Sequence, residues 1–184
     1  AARDWLKGHP QYPRDPGKRA GLEALLPWTH PEFGAVSPAE FGPIAEQRGH
    51  IHELTEHLVR GIESDLSEFP ASFLRGLRLA LNISARQITD SRLEALLNPL
   101  FERIRAVGWR PEIEITETHL MNLSRQCLDR LAEFCEQGVV VAIDDFGTGY
   151  SSLAYLHTLP VQVLKIDRQF TQRLGGESRD SRIV

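Results

Sequence analysis

Apolar positions along the chain follow two different periods, and each period predicts one kind of element. Spacings of three and four residues predict helices, over residues 51–66, 93–107 and 127–135. Short continuous or alternating apolar runs predict strands, over residues 77–83, 112–117, 139–143 and 161–166. Strands that alternate with helices are parallel and joined by crossovers, so the sequence predicts an α/β fold.

Local signals predict where several helices begin and end. Ser37-Pro38-Ala39-Glu40 is a capping box with proline at the first helical position, and that helix is expected to end near Gly49. Ser124 caps the predicted helix that carries both cysteines. A further short helix is predicted over residues 151–157. Residues 1–20 contain three prolines that interrupt any period, so they are predicted to form an irregular N-terminal segment.

Polar side chains occur at or near the ends of four predicted strands, and they bear on the architecture. They are Asn82, Glu114, Asp144, Asp145 and Lys165. A closed eight-stranded barrel brings such strand ends to one rim, whereas an open doubly wound sheet spreads them along a line. Both architectures fit the alternation of elements, and the barrel is favoured because it gathers these residues into one site.

The same strand-end residues, with Glu23, form a set of oxygen donors. Glu23, Glu114, Asp144 and Asp145 are carboxylates, and Asn82 offers a neutral amide oxygen. Converging carboxylates cannot all stay ionised without a cation, and oxygen donors select Mg²⁺, Mn²⁺ or Ca²⁺ over zinc. Two ions about 3.5–4 Å apart are the usual arrangement for attack on a phosphodiester. Any one of these carboxylates is compatible with a solvated loop end, but together they predict a metal site.

Two further features stand close to this set in the sequence. Lys165 is one of only three lysines among 21 basic residues, and it either reaches solvent from an edge strand or lies buried beside the carboxylates. Gly147, Thr148 and Gly149 follow the aspartate pair, and the glycines allow a ligand to approach the backbone closely, a weak indication of a phosphate-binding loop. Glu117 is either an acceptor of hydrogen bonds from this loop or a simple surface glutamate.

Composition limits the classes of protein to be considered. The 184 residues are 41% hydrophobic and 25% charged, which is enough for one buried core. A net charge of −4 argues against a surface that coats nucleic acid. No apolar run approaches the roughly 18 residues of a membrane span, the N-terminus lacks a signal-peptide apolar region, and the two cysteines fit a reducing compartment. We therefore expect a cytoplasmic protein that binds no nucleic acid and has no membrane span in this chain.

These residues lie within motifs that resemble, in the same order, those of the EAL family. The motifs are Gly21-Leu22-Glu23-Ala24-Leu25-Leu26-Pro27-Trp28, Asn82-Ile83-Ser84, Glu114-Ile115-Thr116-Glu117-Thr118, Asp144-Asp145-Phe146-Gly147-Thr148-Gly149-Tyr150-Ser151-Ser152-Leu153 and Leu164-Lys165-Ile166-Asp167. Glu23-Ala24-Leu25 is the tripeptide that names the family. The resemblance covers residues 21–184 and implies a modified TIM-type (β/α)8 barrel that hydrolyses cyclic di-GMP to linear pGpG.

The resemblance also implies which residues bind metal. Glu23, Asn82, Glu114 and Asp144 resemble ligands of the first ion, and Asp145 resembles the ligand associated with the second. The implied cofactors are Mg²⁺ or Mn²⁺. Ca²⁺ accepts more ligands at longer and looser distances, so it is expected to inhibit by holding the diester without fixing the attacking water.

Catalytic and substrate-binding roles follow in the same way. Lys165 resembles the lysine that contacts the catalytic water, and it forms the implied catalytic set with Glu23 and Asp145. Glu117 resembles the glutamate that steadies the glycine-bearing loop. The implied substrate-binding residues are Leu25, Gly147, Thr148 and Gly149.

Three features depart from the family pattern. Pro27 stands where the family usually has an arginine that contacts a substrate phosphate, and proline offers neither charge nor donor. The segment before Glu23 lacks the Gln-Pro pair of the family's first strand. The chain ends at Val184, whereas an eight-fold barrel takes about 250 residues, so an incomplete barrel is expected, without its last strands and a further catalytic glutamate and glutamine.

Two functions from different classes therefore stay open. The first is a cyclic di-GMP phosphodiesterase, favoured because every metal-type ligand is present. The second is a catalytically inactive receptor or protein-interaction module, which Pro27 and the missing strands both support. A doubly wound phosphatase is less consistent, because no nucleophilic aspartate follows the first strand. The implied ligand is cyclic di-GMP, and the resemblance allows a homodimer and attached sensor or diguanylate-cyclase-like domains outside this chain.

Overall fold

Strands and helices alternate in the computed structural model, which describes residues 21–68, 76–120, 123–147, 156 and 159–167. The strands are β1 (Gly21–Ala24), β2 (Trp28–His30), β3 (Gly34–Val36), β4 (Arg78–Asn82), β5 (Arg110–Thr116), β6 (Val140–Phe146) and β7 (Val163–Ile166). The helices are α1 (Pro38–Arg48), α2 (Ile51–Glu68), α3 (Ala85–Ile88), α4 (Ser91–Ala106), α5 (Glu117–Leu120) and α6 (Arg125–Glu136).

Five strands form one parallel sheet in the order β1-β4-β5-β6-β7. Each strand lies beside the next parallel strand of the chain, and the sheet curls into part of a barrel. An open doubly wound sheet reverses its strand order at a switch point, and the described strands contain no such reversal. The prediction of a barrel-type α/β fold is therefore confirmed.

The predicted caps are present with the expected hydrogen bonds. The Ser37 hydroxyl accepts from the Ala39 N–H at 3.3 Å, and the Ser37 N–H donates to the Glu40 carboxylate at 3.0 Å. Helix α1 ends at Gly49, whose φ of 81° is the left-handed conformation that glycine adopts freely. Ser124 caps α6 by accepting from the Cys127 N–H at 3.2 Å. These caps satisfy backbone groups that the ends of a helix leave without partners.

The two faces of the sheet carry different kinds of side chain, because successive residues of a strand point in opposite directions. Large apolar residues on one face join the buried core with the helices, and they are Leu79, Leu81, Ile113, Ile115, Val141 and Ile143. Most of the alternate positions are small or polar, among them Ala80, Asn82, Glu112, Glu114, Ala142 and Asp144, whereas Val140 is apolar. The apolar core therefore lies between sheet and helices, and the other face is available for polar chemistry.

A β-hairpin that the periodic pattern did not predict follows the first barrel strand. Strands β2 and β3 pair antiparallel, and Gly34 at the start of β3 has a φ of 71°. Trp28 packs edge-on against Phe41 of α1, with ring centroids 5.4 Å apart. The hairpin is thus joined to the first helix through an aromatic contact.

Some predictions fall outside the described residues. These are the irregular segment over residues 1–20, with the domain boundary at residue 20, and most of the helix over 151–157. In the part of the chain that the structure describes, no helix combines the length and the apolar character needed to cross a membrane.

Candidate functional site

The carboxyl ends of β1 and β4 bring two of the predicted site residues together. The Asn82 amide donates a hydrogen bond from Nδ2 to Oε1 of Glu23 at 2.7 Å, across 59 positions of sequence. Asn82 is also in register with Glu114 of the next strand. Parallel pairing therefore places an amide and two carboxylates at one end of three neighbouring strands.

Glu114 is the most buried of these acidic groups, with 1% of its surface exposed. Its Oε1 accepts from the Lys165 ammonium of β7. Burial raises the pKa of Glu114 to about 8, because desolvation of the carboxylate outweighs the nearby ammonium, and the charges of Glu23 and Asp144 raise it further. Lys165 therefore lies beside the carboxylates and does not extend into solvent.

The consecutive aspartates occupy an irregular turn at the end of β6. The pairing of β6 with β7 shifts register between Ile143 and Phe146, and Asp145 has a φ of 55°. This left-handed conformation is uncommon for a residue other than glycine, and aspartate tolerates it better than most. Asp144 is half-buried while Asp145 is exposed. Partial desolvation of the Asp145 carboxylate is the first cause that raises its pKa, although the residue as a whole is exposed, and Asp144 and other acidic neighbours raise it further.

The start of the glycine-bearing loop is tied to α5 by one hydrogen bond. The Gly147 N–H donates to Oε2 of Glu117 at 2.8 Å. Glu117 is 2% exposed, so it is not a surface glutamate. Thr148 and Gly149 lie outside the described residues. Leu25 is half-buried directly after β1.

Two polar residues of this region were missed by the reasoning from sequence. Glu112 is fully buried two positions before Glu114, on the same face of β5, and burial raises its pKa although Arg78 and Lys165 lower it. Asp167 follows β7, and its charge contributes to the raised pKa of Asp145. The sequence signal for Glu112 was the alternation of glutamates along β5. The signal for Asp167 was its position directly after Lys165-Ile166.

The donor chemistry of the site suits a hard metal ion. Four carboxylates converge at this end of the strands. Desolvation raises the pKa values of Glu114 and Asp145, and the charges of their acidic neighbours add to this, so a bound cation would stabilise the ionised forms. Among the described residues, no three acidic, histidine or cysteine side chains stand in an arrangement that could hold an ion. The side chains bind each other instead: Lys165 pairs with an oxygen of Glu114, and Asn82 directs its NH₂ group towards Glu23.

A curled sheet of parallel strands, with acidic and amide side chains at the carboxyl ends, defines a barrel-type α/β protein whose site lies at the rim. The chain belongs to the EAL domain family, whose model matches residues 9–184. This match is consistent with the motifs that begin at Glu23 and end at Asp167.

Several relatives carry names that state an activity. The cyclic di-GMP phosphodiesterase PA2567 of Pseudomonas aeruginosa is 37% identical over 169 residues, which are 89% of this chain and 28% of the relative. The probable cyclic di-GMP phosphodiesterase PdeG of Escherichia coli is 33% identical over 91% of this chain and 33% of the relative. The chain therefore spans a third or less of these curated relatives.

Solved structures give the same assignment of fold. The structure of the PaMucR phosphodiesterase in its c-di-GMP complex matches with a TM-score of 0.69 and 34% identity, over 91% of this chain and 68% of that one. The EAL enzyme Bd1971, in a form with cAMP and cyclic di-GMP bound, matches with a TM-score of 0.66 and 27% identity. The match covers 90% of this chain and 46% of that one.

Proposed function

We propose that this domain hydrolyses cyclic di-GMP to linear pGpG with the help of Mg²⁺ or Mn²⁺. The observation that carries the proposal is the meeting of Glu23, Asn82, Glu114 and Lys165 at the carboxyl ends of the parallel strands. Family membership supports the choice of substrate, because relatives of 33% and 37% identity are named as cyclic di-GMP phosphodiesterases.

The metal would be held by the oxygen donors of the rim. Glu23, Asn82, Glu114 and Asp144 are proposed for one ion and Asp145 for the second, since all five offer oxygen. Bound ions of this kind lower the pKa of a water molecule and neutralise charge on the phosphodiester. The acidic rim alone would repel the two phosphates of the substrate, so cation binding also decides whether the nucleotide can approach.

The chain's own residues supply position and charge. Lys165 presents an ammonium beside Glu114, where it can orient a water molecule and stabilise negative charge that develops on the phosphate. Glu117 fixes the backbone of Gly147 through its hydrogen bond, and so holds the start of the loop that follows the aspartate pair. Positioning of this kind is effective because small displacements of reacting groups are costly in rate.

A receptor that binds cyclic di-GMP without hydrolysing it is the second candidate. Pro27 favours it, because this exposed residue lies just after β1, where the family usually has a phosphate-contacting arginine. Loss of one phosphate contact weakens binding and alignment together. Action in the cytoplasm, a homodimer and attached domains remain predictions from the family resemblance.

Incubation with cyclic di-GMP and Mn²⁺, followed by chromatography for pGpG, separates these functions. The protein used is the complete gene product that carries these residues. The phosphodiesterase is supported if the wild type forms pGpG, Glu114→Gln does not, and Glu94→Gln still does. Glu94 serves as the control because it lies on α4 in an ion pair with Arg130. Micromolar binding without product supports the receptor. Absence of both binding and product contradicts both.

A further inference from the structure

Behind the rim, charges of alternating sign line the face of the sheet opposite the helices. Nη1 of Arg78 lies 3.2 Å from Oε2 of Glu112, and Nζ of Lys165 lies 3.9 Å from Oε1 of the same carboxylate. Lys165 in turn pairs with Glu114. Glu112 therefore stands between two cations, and each of its oxygens faces a different one.

The position of Glu112 has no explanation in packing alone. Its partners in register are Ala80 on β4 and Val140 on β6, which are both buried and apolar. An apolar side chain would continue this row but would remove the carboxylate that Arg78 and Lys165 face, whereas a buried carboxylate is unfavourable unless other charges compensate it. A glutamate here, fully buried and flanked by two cations, requires a role that depends on its charge.

The proposed function creates such a need. Glu114 now holds Lys165 through one oxygen, and Glu114 is also proposed to bind a metal ion. A divalent cation draws the negative charge of this carboxylate towards itself and so weakens its hold on the ammonium. Lys165 then requires a second anion within reach, or it is repelled by the ion.

We propose that Glu112 is a positioning residue that keeps the Lys165 ammonium at the rim when Glu114 binds metal, while Arg78 balances the charge of Glu112. The inference rests on the proposed function for the roles of Glu114 and Lys165. Glu112 is suited to it because the 3.9 Å gap to Nζ closes with a small side-chain movement. Nη1 of Arg78 forms an ion pair with the other oxygen at 3.2 Å, and this attraction favours the present position of the carboxylate as Lys165 moves.

This role gives a specific kinetic pattern for Glu112→Gln, which removes the charge and preserves the shape. We expect kcat to fall by about 10- to 100-fold, as for other groups that orient the residues of a site from behind. KM and the calorimetric affinity for Mn²⁺ are expected to stay unchanged, because Glu112 touches neither substrate nor metal. Glu112→Asp keeps the charge and is expected to recover part of kcat.

A matched control separates this effect from the loss of any ion pair. Glu94→Gln breaks the pair with Arg130, a partly exposed contact between α4 and α6, and is expected to leave kcat unchanged. A fall in Mn²⁺ affinity with Glu112→Gln that equals its fall in kcat would identify Glu112 as a metal ligand and overturn the proposal. An unchanged kcat would also overturn it.

A second measurement does not depend on turnover. The ¹⁵N–¹H signal of a held ammonium exchanges slowly with water, and the Lys165 signal is assigned by its loss in Lys165→Arg. In Mg²⁺-saturated protein we expect this signal in the wild type and its loss in Glu112→Gln. Without Mg²⁺ both proteins should show it, because Glu114 still holds the lysine. Persistence of the signal in Mg²⁺-saturated Glu112→Gln overturns the proposal.

The kinetic and NMR measurements together distinguish failure of the positioning role from failure of the proposed function. One result would be that the wild type makes no pGpG while Glu112→Gln loses the Lys165 signal when Mg²⁺ is added. This result contradicts the proposed function and supports the positioning role. If Glu112→Gln fails to fold because its ion pair with Arg78 is lost, the double variant Glu112→Gln/Arg78→Gln is used instead. It removes both charges, and the expected outcomes are the same.

Discussion

Strand β5 buries two isoleucines on one face and two glutamates on the other. Ile113 and Ile115 pack into the core with the helices, while Glu112 and Glu114 face Arg78 and Lys165. The two isoleucines and the two glutamates are all nearly inaccessible to solvent. Burial of each isoleucine stabilises the fold by about 1.5–3 kcal/mol. Burial of each glutamate opposes folding unless a cation compensates it.

The comparison teaches that equal burial has opposite meanings on the two faces. The helix-facing side is where the free energy of folding is gained, and the other side carries charges that folding has to tolerate. Variants at neighbouring positions of one strand should therefore divide into those that affect stability and those that affect the site. Substitutions of Ile113 and Glu114 test this division directly, and substitutions of Pro27 and Asp90 extend the comparison to residues outside the sheet.

The largest effect on stability is expected from Ile113→Ala. The change removes a fully buried side chain from the core and leaves a cavity, so the free energy of unfolding should fall by about 2–5 kcal/mol. Urea denaturation followed by circular dichroism measures this loss. Cyclic di-GMP affinity, corrected for the folded fraction, is the control and should not change. A loss below about 1 kcal/mol would mean that this face is not the stabilising one.

The neighbouring change Glu114→Gln should have the opposite profile. Mn²⁺ affinity is expected to fall by about 100-fold or more, since a ligand should matter at least as much as the groups that support it. The free energy of unfolding of the metal-free protein should change less than in Ile113→Ala, because burial disfavours the charge that the substitution removes. Calorimetry and urea denaturation give the two numbers. Equal losses of stability in the two variants would contradict the division between the faces.

At the rim, Pro27→Arg is expected to strengthen binding of cyclic di-GMP. A charge-assisted hydrogen bond to phosphate contributes roughly 1.5–3 kcal/mol, which is about one to two decades in affinity. Pro27 is exposed between β1 and β2, so the substitution should not disturb the fold. Titration calorimetry measures the change, with Pro27→Gln as a control for loss of the proline itself. Equal affinities for the Arg and Gln variants would remove the reason to invoke a missing arginine.

The smallest effect concerns the N-terminal cap of helix α4. Asp90 caps α4, and its hydrogen bonds with Arg92 lower its pKa from 3.8 to about 2. A carboxylate with a lowered pKa stabilises the folded state above its unfolded pKa, and this contribution is lost as pH falls through the folded value. Asp90→Ala should therefore destabilise the protein at pH 7, with a difference from wild type that shrinks between about pH 4 and pH 2.

Ser124→Ala provides the matched control for this pH dependence. Ser124 also caps a helix, but its hydroxyl does not titrate in this range. The destabilisation that it causes should not change over the acid interval in which the Asp90→Ala difference shrinks. Parallel curves for the two variants would contradict the role given to the Asp90 carboxylate.

Much of the fold could be predicted because the signals are local. The capping box at Ser37, the cap at Ser124 and the apolar run before Asp144 each set an element through neighbouring residues. Strands β2 and β3 gave no such signal, because each has only three residues and these are mostly exposed. Their pairing depends on Gly34 and on contact with Phe41, which only the folded chain supplies.

The sequence indicated which candidate residues stand at strand ends, but it did not indicate their contacts. Parallel pairing explains why Asn82 and Glu114 stand side by side, and the strand ends were visible in the sequence. The pairing of Lys165 with Glu114 depends on residues 51 positions apart and on side-chain orientation, which no spacing encodes. Glu112 was overlooked for a similar reason, since its cations come from two other strands.

The left-handed backbone of Asp145 also has an evolutionary consequence. Glycine, asparagine and aspartate tolerate this conformation, whereas β-branched residues do not. Among the single-base changes open to an aspartate codon, those to asparagine and glycine preserve the turn and delete the charge, while the change to valine disrupts the turn. Under the proposed role of Asp145 as a metal ligand, one base change at this position therefore removes the ligand while the turn is kept, and purifying selection acting on stability alone would not remove such a change.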